Sequence, residues 1–281
     1  MSQAAQLWSG GGAVGESSRL RRARHRVRAL ASERPGVYLP FARRKYPGPS
    51  PNVIGPETQA VIDGYTRSAS TFAVYAFQLA QPTPVRLVHH LHASAQLIEA
   101  ARRGLPTVLV IREPRGAVLS QVVREPGVDL LDALFAYRRF HASLVPYRDA
   151  FEVADFDETT HDFGAVVRRM NHRFGTDFGV FDPTPAELDL CTRMIGLRPT
   201  LSPVLLGFES GEVTRAEAEA HLDGEARAEE ADPVWVPSPK REAAKAALAD
   251  RWSSPRLARA RGLAEEAYAG FVARQPAGVA R

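Results

Sequence analysis

Residues 60–72, Ala60-Val-Ile-Asp-Gly-Tyr-Thr-Arg-Ser-Ala-Ser-Thr-Phe72, run an apolar strand into a hydroxyl-rich turn and then into a helix. A strand that feeds a helix through a short turn is the unit from which parallel sheets with helical crossovers are built. The same junction is suited to an anion. A helix N-terminus offers unpaired backbone N–H groups and a partial positive charge, so the stretch from Ser68 to Thr71 can cradle one phosphoryl-like group. Arg67 adds a full charge. Taken alone, Ser and Thr at a helix start are also ordinary N-capping residues.

The same alternation continues along the chain. After a Pro/Gly-rich connector at 47–56, the pattern reads strand 60–63, helix 71–80, strand 85–91, helix 93–103, strand 107–112 and helix 116–123. This predicts an α/β fold, a three-layer, P-loop-like parallel sheet flanked by helices on both faces. A helical run over 130–146 is expected to pack across the sheet. Residues 182–235 are rich in Pro, Glu, Ala and Gly, lack strand periodicity and carry an acidic helix around 214–230. They read as a mobile cover facing an acceptor. Two helices close the chain, one after Pro237-Ser-Pro and one over 257–271. No internal repeat is visible. A chain of 281 residues with 44% hydrophobic content can bury one substantial core. The expected organisation is a basic arm and linker over 1–50 and a single main domain over 51–281.

Against the Walker A frame G-x-x-x-x-G-K-[ST], the loop keeps Gly64 and Thr71 but has Ala69 for the second glycine and Ser70 for the lysine. Without that lysine, triphosphate hydrolysis is not expected. Tyr65-Thr-Arg-Ser-Ala-Ser-Thr71 resembles instead the Y-P-[RK]-S-G-[ST]-T loop of the sulfotransferases that use 3′-phosphoadenosine 5′-phosphosulfate (PAPS), with Thr66 and Ala69 departing from Pro and Gly. Leu105-Pro-Thr-Val-Leu-Val-Ile-Arg-Glu-Pro-Arg-Gly-Ala-Val-Leu-Ser120 resembles that family's strand, R-[DN]-P-R turn and following helix. Residues 151–159 and 163–174 resemble the next strand, turn and helix, so the likeness covers about 58–178.

The resemblance implies PAPS as co-substrate. Arg67, Ser68, Ala69, Ser70, Thr71 and Phe72 would surround its 5′-phosphosulfate. Arg112 and Ser120 would hold the 3′-phosphate, with Arg124 as an auxiliary. The family's R-K-G-x-x-G-x-W loop is absent, and Ser238, Lys240 and Arg241 are the candidates for clamping the same phosphate. His89-His90-Leu91-His92 stands where the family has K-[TS]-H, which implies His90 as the base, His92 second, and Val88 in place of the lysine. The charge on the bridging oxygen is then left to Arg67 or another base. Strand alternation would put His90 and His92 on one side and His89 on the other. With no Cys or carboxylate adjoining them in the sequence, no metal site is expected.

Net charge is +4, yet residues 19–45 hold ten Arg or Lys against the single Glu33, so the remainder is about five charges negative. Leu20, Val27 and Leu30 give this segment a thin apolar face, and a solvated basic helix is the expectation. Such an arm could touch an acidic lipid surface, nucleic acid or an anionic substrate. Nucleic acid as the main partner is disfavoured, because no aromatic residues interleave with the arginines. The lone Cys191 and the lack of a long apolar run predict a cytoplasmic protein without disulfides. The expected activity is sulfuryl transfer to a hydroxyl or amine of a small molecule or glycoconjugate. The alternatives are a non-catalytic nucleotide-binding regulatory module and an atypical P-loop phosphotransferase.

Overall fold

The computed structural model describes residues 18–48, 50–125, 127–198, 202–224 and 238–272. Four short strands, β1 (Ala60–Gly64), β2 (Leu87–His89), β3 (Thr107–Val110) and β4 (Glu152–Ala154), form one parallel sheet in the order β2-β1-β3-β4. Gly64 is in register with Val110, Ile62 with His89, and Val110 with Ala154. The strand after the first crossover and the strand after the second therefore flank β1. Both faces of the sheet are covered, which is why its strands read as mainly apolar runs, broken by Asp63 in β1 and Glu152 in β4, rather than alternating ones.

Each crossover is a helix: α3 (Ser70–Ala80), α4 (Ser94–Arg103), then α5 (Pro114–Arg124) and α6 (Leu130–Leu144). Sequence punctuation sets their ends. Gly104 closes α4 with φ 63°, Pro114 starts α5, and the Asp129 carboxylate caps α6 by accepting from the Asp132 N–H. After β4 come α7 (Phe156–His161) and α8 (Phe163–Phe174), capped by Asp155 and Asp162.

Successive residues of each strand feed opposite cores, which makes three layers. Ile62, Val108 and Val110 pack on one face with Phe77 of α3 and Met170 of α8. Val61, Leu109 and Ile111 pack on the other with Leu97, Val118, Tyr137 and Phe271. Phe77 is fully buried, so truncating it to alanine should cost about 3–5 kcal/mol.

Three expectations are corrected. Residues 182–235 supply, in their described part, α9 (Pro185–Leu197), α10 (Pro203–Ser210) and α11 (Arg215–Gly224). Cys191, Met194, Leu205, Phe208 and Leu222 from these helices are buried in the first core, so the described part of this stretch belongs to the domain's packing rather than forming a mobile cover. Residues 225–237 lie outside the described residues.

The basic segment, expected to be solvated, forms α1 (Ser18–Ala31) and α2 (Pro35–Lys45), docked on the domain. Arg22 and Arg26 both reach the buried Asp132 carboxylate, at 2.8 and 2.6 Å, and Arg139 grips Glu33 with two nitrogens. A carboxylate taken from water needs such compensation.

Finally, β2 stops at His89, because His90 and His92 adopt left-handed backbone angles (φ 57° and 51°). The chain ends with α12 (Pro239–Ala246), α13 (Ala249–Ser253) and α14 (Ala258–Val272). No helix among the described residues is long and apolar enough to cross a membrane.

Candidate functional site

Three turns leave the C-terminal ends of β2, β1 and β3 side by side, the edge at which open α/β sheets bind ligands. The β1 turn is strained. Arg67 and Ala69 have φ of 69° and 73°, and an L-residue in that region costs about 1–2 kcal/mol. The four non-glycine residues with positive φ among the described residues all fall here and in the histidine turn. Strain of this kind collects where ligands are held. Gly64 lets the sheet come together beneath the turn, since a Cβ there would sit 2.1 Å from the Val110 carbonyl oxygen.

The turn opens into α3, whose first N–H groups have no intrahelical acceptor. Ser68 and Ser70 are buried beside them, and the hydroxyl of each lacks a hydrogen-bond partner among the described residues. Buried hydroxyls are normally satisfied, so two orphans in one turn need an explanation. The Phe72 ring packs on Phe181 in the first core, leaving only its main chain at the turn.

The guanidinium groups expected to bind phosphate do converge. Arg67 Nε donates to Ser120 Oγ at 3.0 Å, and an Arg241 nitrogen donates to the same hydroxyl. Arg112 donates to the Arg67 carbonyl at 3.1 Å and lies over the Phe156 ring at 3.8 Å. Burial pushes the Arg67 guanidinium down to about 9, and the charges of Arg241, Arg124 and Arg112 add to the effect. Arg241 is lowered by burial and by Arg112, and Arg112 by burial first.

Several cations held this close raise the local positive potential, which a bound anion would relieve. The family likeness implies Arg67 beside the 5′-phosphosulfate; its side chain is instead drawn to Ser120. Ser238 caps α12, accepting from the Arg241 N–H at 3.3 Å, which is the plain helix-start role. Lys240 is exposed, and no hydrogen bond or ion pair among the described residues joins it to the cluster.

Strand alternation does not hold in the histidine turn, because His90 and His92 lie beyond β2. All three rings meet, with centroids 4.6 Å apart for His89 and His90 and 5.6 Å for His90 and His92. The tautomers follow from a carbonyl that can only accept. His89 Nε2 lies 3.2 Å from the Glu209 carbonyl, so it carries the proton there, and its Nδ1 accepts from His90 Nδ1. His90 Nε2 then accepts from the Thr71 hydroxyl at 3.0 Å. Burial keeps both rings neutral, pushing His89 down to about 4 and His90 well below its usual range.

His92 is held differently. Its Nδ1 donates to the Gly64 carbonyl at 2.8 Å and lies 3.2 Å from the Asp63 carboxylate. Its Nε2 lone pair is left unengaged among the described residues, on a side chain 21% exposed. Asp63, fully buried, also accepts the N–H groups of Gly64, Leu91 and His92, which pins the histidine turn to the end of β1.

Glu209 brings a carboxylate within 4.8 Å of the His89 and His90 nitrogens, so the sequence argument that no acid accompanies these histidines is corrected. That carboxylate is already bound by Arg198 at 2.6 Å, whose positive charge competes with any cation. An open cavity of about 500 Å³ at the far end of α3, lined by Gln81, Pro84 and Arg215 among others, touches none of these groups.

Sequence reasoning did not single out Asp63, Phe156 or Glu209. Asp63 was the findable one, as the only charge in an otherwise apolar strand. The other two come from distant segments. Comparison with known proteins finds no matching family model, no matching curated protein and no matching solved structure.

Proposed function

We propose that this chain is a PAPS-dependent sulfotransferase acting on a hydroxyl or amine of a small molecule or glycoconjugate, in a cytoplasmic setting. One observation carries the reading: Arg67, Arg112 and Arg241 converge on Ser120 and the 66–70 turn, next to the orphan hydroxyls of Ser68 and Ser70. Two anion-ready sites at neighbouring strand ends suit a donor with phosphate at both ends.

Ser68, Ser70 and the N–H groups at the start of α3, that of Thr71 among them, would hold the phosphosulfate, since the Thr71 hydroxyl proton is given to His90. Arg112 and Ser120, with Arg67 and Arg241, would hold the 3′-phosphate. PAPS, when bound, supplies an activated sulfuryl group. The chain's share of the chemistry is positioning, charge stabilisation and removal of the acceptor proton.

His92 is the better-placed base of the two candidates. Its Nδ1–H is fixed on Gly64 and Asp63, so the neutral ring would keep its lone pair on Nε2, on a partly exposed side chain. His90 spends its Nε2 on Thr71, and its role is to position that hydroxyl at the helix start. Val88, where the family's lysine would stand, is buried in the second core. That leaves the N-terminus of α3 and Arg67 to stabilise charge on the leaving oxygen.

The reading is tested by transfer of radiolabelled sulfate from PAPS to a panel of phenols, sugars and amines. His92→Ala should lose about 10²–10⁴-fold in turnover while keeping nucleotide affinity. Val88 and the strained Ala69 both favour a second reading, a nucleotide-binding module without turnover. Nucleotide binding with no transfer to any acceptor supports that module, and stabilisation by ATP with magnesium alone supports a phosphotransferase.

A further inference from the structure

The outer face of the N-terminal helix pair has no role in the site above. Of nine large apolar residues that stay exposed among the described residues, five lie here: Leu20, Val27, Leu30, Val37 and Phe41. Phe41 is 65% exposed, Val27 64% and Val37 58%. Scattered exposed leucines or valines are ordinary; a concentration in two adjacent helices is not.

On α2 the exposed positions 36, 37, 40, 41 and 44 recur at helical spacing and form one face, with Val37, Pro40 and Phe41 at its centre and Arg44 at its end. The opposite face buries Tyr38, Leu39 and Ala42 against Val53, Leu91, Ala93 and Ala95. The helix is thus fixed to the body, and its apolar outer face is displayed rather than awaiting folding.

Charge says what that face would meet. Arg22, Arg26 and Glu33 are consumed by contacts with the domain. Arg21, Arg34, Arg43 and Arg44 are exposed, and none of them forms an ion pair among the described residues. Apolar side chains flanked by unpaired arginines, with no exposed acid between them, are complementary to an anionic lipid headgroup layer over an acyl region. A nucleic acid would use the arginines and leave Phe41 and Val37 in water. A second copy of the same face would oppose arginine to arginine.

We infer that the outer face of α2 docks the protein on an anionic bilayer, with Phe41 and Val37 entering the interface and Arg34, Arg43 and Arg44 contacting headgroups. α2 rests on Leu91 and Ala93, which adjoin His90 and His92. A docked surface would lie about one helix diameter, roughly 10 Å, from the histidine turn. The inference does not depend on the sulfotransferase reading, because docking is measured without nucleotide or acceptor.

The experiment is cosedimentation of the full chain with vesicles of phosphatidylcholine alone and with phosphatidylglycerol added. Binding is expected only to the anionic vesicles and should weaken steeply with salt. Phe41→Ser should weaken it about tenfold. Arg43→Gln combined with Arg44→Gln should weaken it about thirtyfold. These positions are exposed, so each variant should keep the parent melting temperature, and Arg168→Gln, an exposed charge on α8, should bind as the parent does. No binding to anionic vesicles, or binding that these variants leave unchanged, overturns the inference. So does a dimer in sedimentation velocity that Phe41→Ser dissociates, or equally tight, variant-sensitive binding to DNA.

Discussion

Replacing Ser70 by alanine should make the protein more stable and a worse binder of phosphate-bearing nucleotide. Ser70 is 4% exposed and its Oγ has no partner among the described residues. A buried hydroxyl without a partner costs about 1–3 kcal/mol of lost hydration. Removing it leaves a gap of only one oxygen atom, so Ser70→Ala should gain about 1 kcal/mol. For a domain of this size that is about 2–4 °C in melting temperature. Ser68→Ala, fully buried with the same orphan hydroxyl, should behave alike.

Ser32 supplies the control. It is 8% exposed, but its Oγ donates to the Ala29 carbonyl at 2.8 Å, so Ser32→Ala should lose about 1 kcal/mol. With adenosine 3′,5′-bisphosphate as ligand, the loss of one hydrogen bond to a charged group is worth about 1.5–3 kcal/mol, or roughly 10–100-fold in Kd. Urea denaturation and calorimetric titration read the two quantities separately. If Ser70→Ala destabilises by about 1 kcal/mol, as Ser32→Ala does, the hydroxyl is satisfied in the folded chain and the reasoning fails. If stability rises and affinity is unchanged, the hydroxyl does not serve the ligand.

Other consequences of the geometry are equally accessible. Gly64→Ala forces a methyl against the Val110 carbonyl oxygen at 2.1 Å and should cost about 3 kcal/mol or more; a loss below about 1 kcal/mol in denaturant would show that β1 and β3 are not that close. Ala69→Gly relieves a left-handed residue and should stabilise by about 0.5 kcal/mol, whereas Gly104→Ala, left-handed with open space around it, should cost about 1 kcal/mol. Identical signs for the two variants would contradict the assigned backbone. Burial lowers His89 and His141 to about 4. The unfolded chain takes up these protons near pH 6.5 and the folded chain only near 4, so the unfolded state binds more protons in between. Stability should therefore fall as pH drops from about 6.5 to about 4, by up to about 1.4 kcal/mol per pH unit for each ring. Denaturation midpoints that stay level across that range would place these histidines in water.

Much of the sheet was legible because its signals are local. Apolar runs such as Thr107-Val-Leu-Val110 need burial on both faces, and the Pro/Gly-rich connector at 47–56 marks where the alternation of strand and helix begins. Two similar turns at neighbouring strand ends were also readable, but not that Arg67 reaches from its own turn to Ser120 on the next. What escaped depends on distant partners. Nothing near Arg22 or Arg26 says that α1 is held by Asp132, more than a hundred residues on. The early end of β2 is imposed by Asp63, which captures the N–H groups of Leu91 and His92 across the sheet. α9 and α10 carry apolar residues that look unremarkable until they meet α3.

The most direct measurement is calorimetric titration of the full chain with adenosine 3′,5′-bisphosphate, with 5′-AMP as the ligand lacking the 3′-phosphate. One bisphosphate should bind per chain, 5′-AMP should bind at least about tenfold more weakly, and Arg112→Ala and Arg241→Ala should each remove most of that difference. Equal affinity for the two nucleotides, or an Arg112→Ala chain that binds the bisphosphate as the parent does, would contradict a pocket built by these arginines for a doubly phosphorylated donor.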